Sequence, residues 1–176
     1  MLTPMKEKMK LIDKDIQNKV EDNAEKLEEI VNDIVDKYTD KLDAYMKKIH
    51  TVLTEEADEL TEQELCKIMI VINSYSYFLG TKCELAGIKQ DVSEMVYSEK
   101  YNHEFLLATG TINAKNATAI LNTVDEDVIK IIYARVYKIL KNKLDNTIRM
   151  SDGVKKIISL RVKAMELAGR SNAITG

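Results

Sequence analysis

Between Pro4 and Gly80 the chain has neither a proline nor a glycine. A stretch that long without a breaker does not divide into short strands and turns; it reads as continuous helix. Apolar residues recur along it at Met5, Met9, Ile12, Ile16, Val20, Ala24, Leu27, Val31, Ile34, Tyr38, Leu42, Tyr45 and Ile49, which is 12 steps over 44 residues. The mean step of about 3.7 residues marks one face of a helix. It is not the strict repeat of about 3.5 that winds a left-handed coiled coil. Acid-then-base pairs four apart support the exposed face: Asp15–Lys19, Asp22–Lys26, Asp33–Lys37 and Asp43–Lys47. Thr3-Pro4 reads as the N-cap and first helical residue. A helix of about 47 residues would be about 70 Å long, too long for a globule of 176 residues. It must break or protrude, and a protruding apolar stripe needs a partner, most simply a second copy of the chain.

Further along, Val52–Leu60 reads as a turn or kink, and Thr61-Glu62-Gln63-Glu64 as a capping box. A second helix is predicted from about 62 to about 107, with Gly80 and Gly87 positioned for close helix approach and Gly110 as its C-cap. Residues 109–117 read as a polar loop. Thr123-Val124-Asp125-Glu126 is a second capping box and opens a helix that Ser151-Asp152-Gly153 breaks or kinks. Val154–Leu167 is a last helical stretch closed by Gly169. No strand and no internal repeat is visible. The fold class is all-α: long antiparallel helices in a hairpin or bundle, with an extended N-terminal amphipathic helix. Two regions are expected, an acidic arm over 1–60 for oligomerisation or docking, and a helical hairpin over 61–176 with basic C-terminal helices.

Composition narrows the function classes. The longest pure apolar run, Ile68–Ile72, is too short to cross a bilayer, and the first residues lack the apolar core of a secretory signal. A cytoplasmic protein with no membrane partner is expected. His50 and His103 are the only histidines and Cys66 and Cys83 the only cysteines, with no metal-ligand spacing among them. There is no phosphate-cradling glycine loop and no nucleophile elbow. Neither a metal, a cofactor nor a catalytic residue is expected, and the chain reads as a non-enzyme.

Charge is the positive signal. The net charge of −3 conceals a division: residues 1–60 carry 10 basic and 16 acidic side chains, 61–127 carry 5 and 10, and 128–176 carry 11 and 3. A basic terminal segment on an acidic body suits either a polyanion or the neutralisation of that body within or between subunits. The cations are Lys130, Arg135, Lys138, Lys141, Lys143, Arg149, Lys155, Lys156, Arg161, Lys163 and Arg170. Tyr133 and Tyr137 lie among them. Cations that neutralise phosphates, interleaved with rings that stack on bases, are what non-specific single-strand binding uses. The alternative is that the tyrosines finish a core and the lysines are solvated surface. Tyr97, Lys100, Tyr101 and His103 form a smaller group of the same kind. Residues 1–60 are too acidic to touch phosphate and suit protein contact.

From Tyr75 to Gly169 the order of motifs resembles the phage recombination mediator family UvsY. Tyr75-Ser76-Tyr77-Phe78-Leu79 starts a long helix, with Lys82-Cys83-Glu84 after it. An aromatic-containing end from Tyr97 to Phe105 runs into Thr109-Gly110. Ala119-Ile120-Leu121-Asn122-Thr123-Val124-Asp125-Glu126-Asp127-Val128 enters the next helix, and Gly153-Val154-Lys155-Lys156-Ile157-Ile158-Ser159-Leu160-Arg161 leads to Glu166-Leu167-Ala168-Gly169. The resemblance covers roughly half the chain. It implies a non-catalytic accessory protein that forms rings through its C-terminal helices, binds single-stranded DNA, remodels a single-strand binding protein and loads a RecA-like recombinase. It also implies DNA contacts in the helix before the glycine loop. There this sequence offers only Lys100 and His103, beside Glu99 and Glu104, so the C-terminal cations must carry more of the contact. Two other readings stand beside it: a protein-interaction module, such as a phage inhibitor of a host or defence nucleic-acid-binding complex, and a structural protein assembled from coiled helices.

Overall fold

Four helices carry the chain in the computed structural model, which describes residues 3–56 and 58–174 and the side chains of 14, 16–56 and 58–168. They are α1 (Thr3–Glu55), α2 (Glu62–Leu107), α3 (Ile112–Asn122) and α4 (Val124–Ile174). The described residues include no strand. The 53 residues of α1 make a rod of about 80 Å at ~1.5 Å per residue. The expected side-chain cap at Thr3 lies outside the described side chains.

Cross-helix contacts fix the topology. Tyr45 packs on Tyr75 at 5.1 Å between ring centres and Lys89 donates to the Tyr38 hydroxyl, so α1 and α2 are antiparallel. Lys100 pairs with Glu126 near one end of α2, and Ser151 donates to Asn73 Oδ1 near the other, so α4 is antiparallel to α2 and parallel to α1. The result is an up–down–up bundle, with the closest packing between α2 and α4.

The pattern behind that packing is a heptad. On α2 the buried residues Leu65, Ile72, Leu79, Ala86 and Ser93 recur every seven positions. On α4 Leu140, Thr147 and Val154 do the same. A seven-residue repeat keeps one seam of each helix on its partner along the whole length. Two core clusters fill the seam. Val31, Val35, Leu79, Cys83, Ala86, Ile132, Val136 and Leu140 form one, and Ile49, Leu65, Ile72 and Val154 the other. Both draw on α1, so the acidic arm is packed on the hairpin over its C-terminal half. N-terminal to the bundle its stripe is uncovered: Ile16 is 55% and Val20 61% exposed.

The helix ends explain the connections. Thr61 accepts from the Glu64 amide, and Glu64 Oε2 accepts from the Thr61 amide at 2.8 Å, which closes the capping box read from the sequence. Elsewhere the structure corrects the reading. The 109–117 stretch is not all loop. Gly110 takes φ +107, a left-handed value, and Thr111 then caps α3. The second capping box does not form. Thr123 ends α3, and its hydroxyl donates back to the Ala119 carbonyl at 2.8 Å. Nor does Ser151-Asp152-Gly153 break the last helix, because α4 runs through it. Ser151 and Val154 are buried there, and that packing outweighs the ~1 kcal/mol helix cost of one glycine.

The two glycines of α2 differ. A Cβ at Gly87 would lie 3.3 Å from the Tyr137 ring, whereas a Cβ at Gly80 would meet nothing within 4 Å. Gly87→Val should therefore destabilise the fold by about 1–3 kcal/mol. Gly80→Ala should stabilise it by up to ~1 kcal/mol. Urea denaturation of the two variants reads the contrast.

Candidate nucleic-acid interface

Helix α4 sorts the basic residues by face. Positions 135, 138, 142, 145, 149, 152, 156 and 163 fall on one row at steps of three, four and seven. Arg135, Lys138, Arg149, Lys156 and Lys163 on this row are exposed. From Arg135 to Lys163 the row spans about 42 Å at ~1.5 Å per residue. Asp145 and Asp152 interrupt it. Lys141 is exposed beside Lys138, with its ammonium 5.9 Å from the centre of the Tyr137 ring. Lys155 is exposed on a neighbouring row. The side chain of Arg170 lies outside the described residues.

The other candidate cations have partners within the chain. Lys143 reaches across to Asp43 and donates to the Thr39 hydroxyl at 3.0 Å. Lys130 lies 2.6 Å from Asp127 and 3.8 Å from the centre of the Tyr97 ring. Lys100 lies 2.7 Å from Glu126. Arg161 donates to the Leu60 carbonyl and so ties α4 to the turn between α1 and α2. His103 is exposed, with Nδ1 3.8 Å from Glu104 Oε1.

The tyrosines do not join the cation row. Tyr137 packs over Gly87 on α2. Tyr133 faces the Lys89 ammonium at 5.8 Å, and Tyr38 lies 5.6 Å from the same group. Both α4 tyrosines are half-buried. Their proximity to the lysines in sequence arises from one helix turn carrying two faces. Tyr97 and Tyr101 stack on each other at 6.1 Å, and the Tyr101 hydroxyl donates to Asn116 Oδ1 of α3. This second group therefore braces α2 against α3 and α4.

The acidic helix lies close by. Eight acids and two lysines occur between residues 21 and 40. Glu28 of α1 and Arg135 of α4 line opposite walls of one groove. At that end Glu28 stands beside the row; at the other end the turn that carries Glu56, Asp58 and Glu59 is tied to α4 through Leu60 and Arg161. Among the described residues no group of three or more histidine, cysteine or acidic side chains could hold a metal, and no helix is long and apolar enough to cross a membrane. Cys83 is buried, and burial pushes its thiol pKa up, so it is a core thiol and a poor nucleophile. Comparison with protein-family models, curated proteins and solved structures finds no match.

Ion pairing sets a pH window. The hydrogen bond from Lys100 holds the Glu126 carboxyl below the usual carboxylate range, and the Thr61 amide does the same for Glu64. Both contributions are present above that range and are lost as pH falls through the lowered folded values. Lys100 and Lys130 are raised by Glu126 and Asp127, and Lys89 by the Tyr38 hydroxyl. Their contributions are full below the ordinary lysine range and are lost as pH rises through the raised folded values. The melting temperature should be level near neutrality and fall on both sides. In Glu126→Gln the acid-side fall should be smaller, as thermal melts from pH 7 to pH 3 would read.

Proposed function

We propose that this chain is a non-catalytic accessory protein that binds single-stranded DNA along the outer row of α4. The observation that carries the reading is the exposed set Arg135, Lys138, Lys141, Arg149, Lys156 and Lys163 on one helix. A row of about 42 Å is long enough to follow several successive phosphates of an extended strand. The tyrosines are occupied in the bundle, so phosphate neutralisation rather than base stacking supplies the affinity. Binding of this kind is indifferent to base sequence. Help in loading a RecA-like recombinase follows from the resemblance to recombination mediators. The acidic α1 is the natural docking element for such a protein partner, since its charge repels DNA.

A protein-interaction module that competes for a basic nucleic-acid groove is the second reading, and the eight acids between residues 21 and 40 favour it. The two readings place opposite charges at the working surface. Fluorescence anisotropy with a single-stranded oligonucleotide separates them. The first reading expects binding whose log affinity falls with log salt at a slope near −3 for about four phosphates neutralised, at ~0.7 per phosphate. Arg149→Ala/Lys156→Ala/Lys163→Ala should lower affinity at least about tenfold and flatten the slope. Lys130→Gln, whose ammonium is already paired, should change little. Absence of binding at about 50 mM salt, where phosphate contacts are strong, would remove this reading in favour of the second.

A further inference from the structure

Helix α2 carries two seams, and the bundle uses one. The buried seam is the heptad that faces α4. On the opposite side Phe78, Thr81, Leu85, Ile88, Val92 and Met95 alternate at steps of three and four and are all exposed. This is a second heptad, with Phe78, Leu85 and Val92 in one register and Thr81, Ile88 and Met95 in the other. Tyr77 at its edge is 74% exposed and Phe78 is 64% exposed. Where α1 diverges, the seam opens into a groove whose far wall is Ile129 and Tyr133 of α4. Scattered surface apolar residues are ordinary, but a continuous row at coiled-coil spacing is not.

We propose that this seam binds the same seam of a second copy of the chain, with the two α2 helices parallel. Two observations select that occupant. The first is area. Tyr77, Phe78, Leu85, Ile88, Val92, Met95 and Val96 are each between 45% and 74% exposed, which offers an area on the order of the 800 Å² per partner of a standard stable interface. The second is charge. Glu84 and Asp91 line one edge of the seam, and Lys82 and Lys89 line the other. Parallel helices bring the acidic edge of each copy to the basic edge of its mate, and antiparallel helices bring like to like. The edges are therefore self-complementary in one orientation only. Lys82 approaches the Tyr38 ring and Lys89 donates one hydrogen bond to the Tyr38 hydroxyl, yet both side chains stay exposed, and the Lys89 ammonium has two further N–H groups to offer a partner. This inference goes beyond the DNA-binding reading and stands without it, because none of its residues lies on α4's cation row.

Sedimentation or light scattering of the full chain tests it. The expected species is a dimer of about 40 kDa, twice the 20.1 kDa chain. Leu85→Glu/Ile88→Glu should be monomeric with unchanged helicity, since both residues are exposed in the single chain. A milder pair, Glu84→Lys/Asp91→Lys, makes both edges basic and should weaken the dimer at least tenfold at low salt. A monomeric parent, or a dimer that persists in the first variant, would overturn the interface. Orientation is read by Met95→Cys in a Cys66→Ser/Cys83→Ala background. Parallel pairing gives a covalent dimer on oxidation. Cross-linking only between Met95→Cys and Phe78→Cys chains would overturn the parallel arrangement.

Discussion

The packing of α2 on α4 carries the rest of the structure. Leu65, Ile72, Leu79, Ala86 and Ser93 repeat every seven residues, and Val136, Leu140 and Val154 close the seam from α4. Each fully buried leucine or isoleucine contributes about 1.5–3 kcal/mol of transfer free energy. The polar members are satisfied locally. Ser93 donates to the Gln90 carbonyl at 2.7 Å and Thr147 to the Lys143 carbonyl at 2.8 Å. Ser151 donates across the seam to Asn73 at 2.7 Å. A side-chain bond between two helices is met in one register only, so it fixes how α2 and α4 slide against each other. Gly87 gives the Tyr137 ring the space to lie against the α2 backbone.

This pairing also divides the basic charge of α4. A helix presents every direction around its axis, so eleven cations in 49 residues cannot all face one ligand. Those turned toward α1, α2 or the α3–α4 junction find carboxylates, carbonyls or rings there: Lys143, Lys130 and Arg161. Those turned outward remain for solution partners. The same geometry applies to α2, whose apolar residues surround the helix and give it two apolar faces. A helix apolar all round belongs in a larger core than this bundle supplies. That is the physical basis of the proposed pairing with a second copy.

Much of the architecture was legible from residue order. The length of α1 and α2, the turn between them and the capping box at Thr61 follow from the absence of breakers and from local hydrogen-bond chemistry. Short-range signals failed where tertiary contact competes with them. Thr123 reads as an N-cap, but its hydroxyl donates to the Ala119 carbonyl of a helix that the polar composition of 109–117 conceals. Ser151-Asp152-Gly153 reads as a break or a kink, but α4 runs through it and Val154 is buried in one cluster with Ile72 and Leu65. The α2 heptads are present in the sequence, but two overlapping apolar seams blur the period of each.

The sequence by itself determined an all-helical chain, an N-terminal rod too long for a globule, and the separation of a basic terminal segment from an acidic body. These depend on backbone propensity, spacing and composition, which are local or additive. Which cations are spent and which are open, and which side of α2 stays bare, was decided only by the tertiary structure. Both depend on how each helix is rotated about its axis, and that rotation is set by partners far away along the chain.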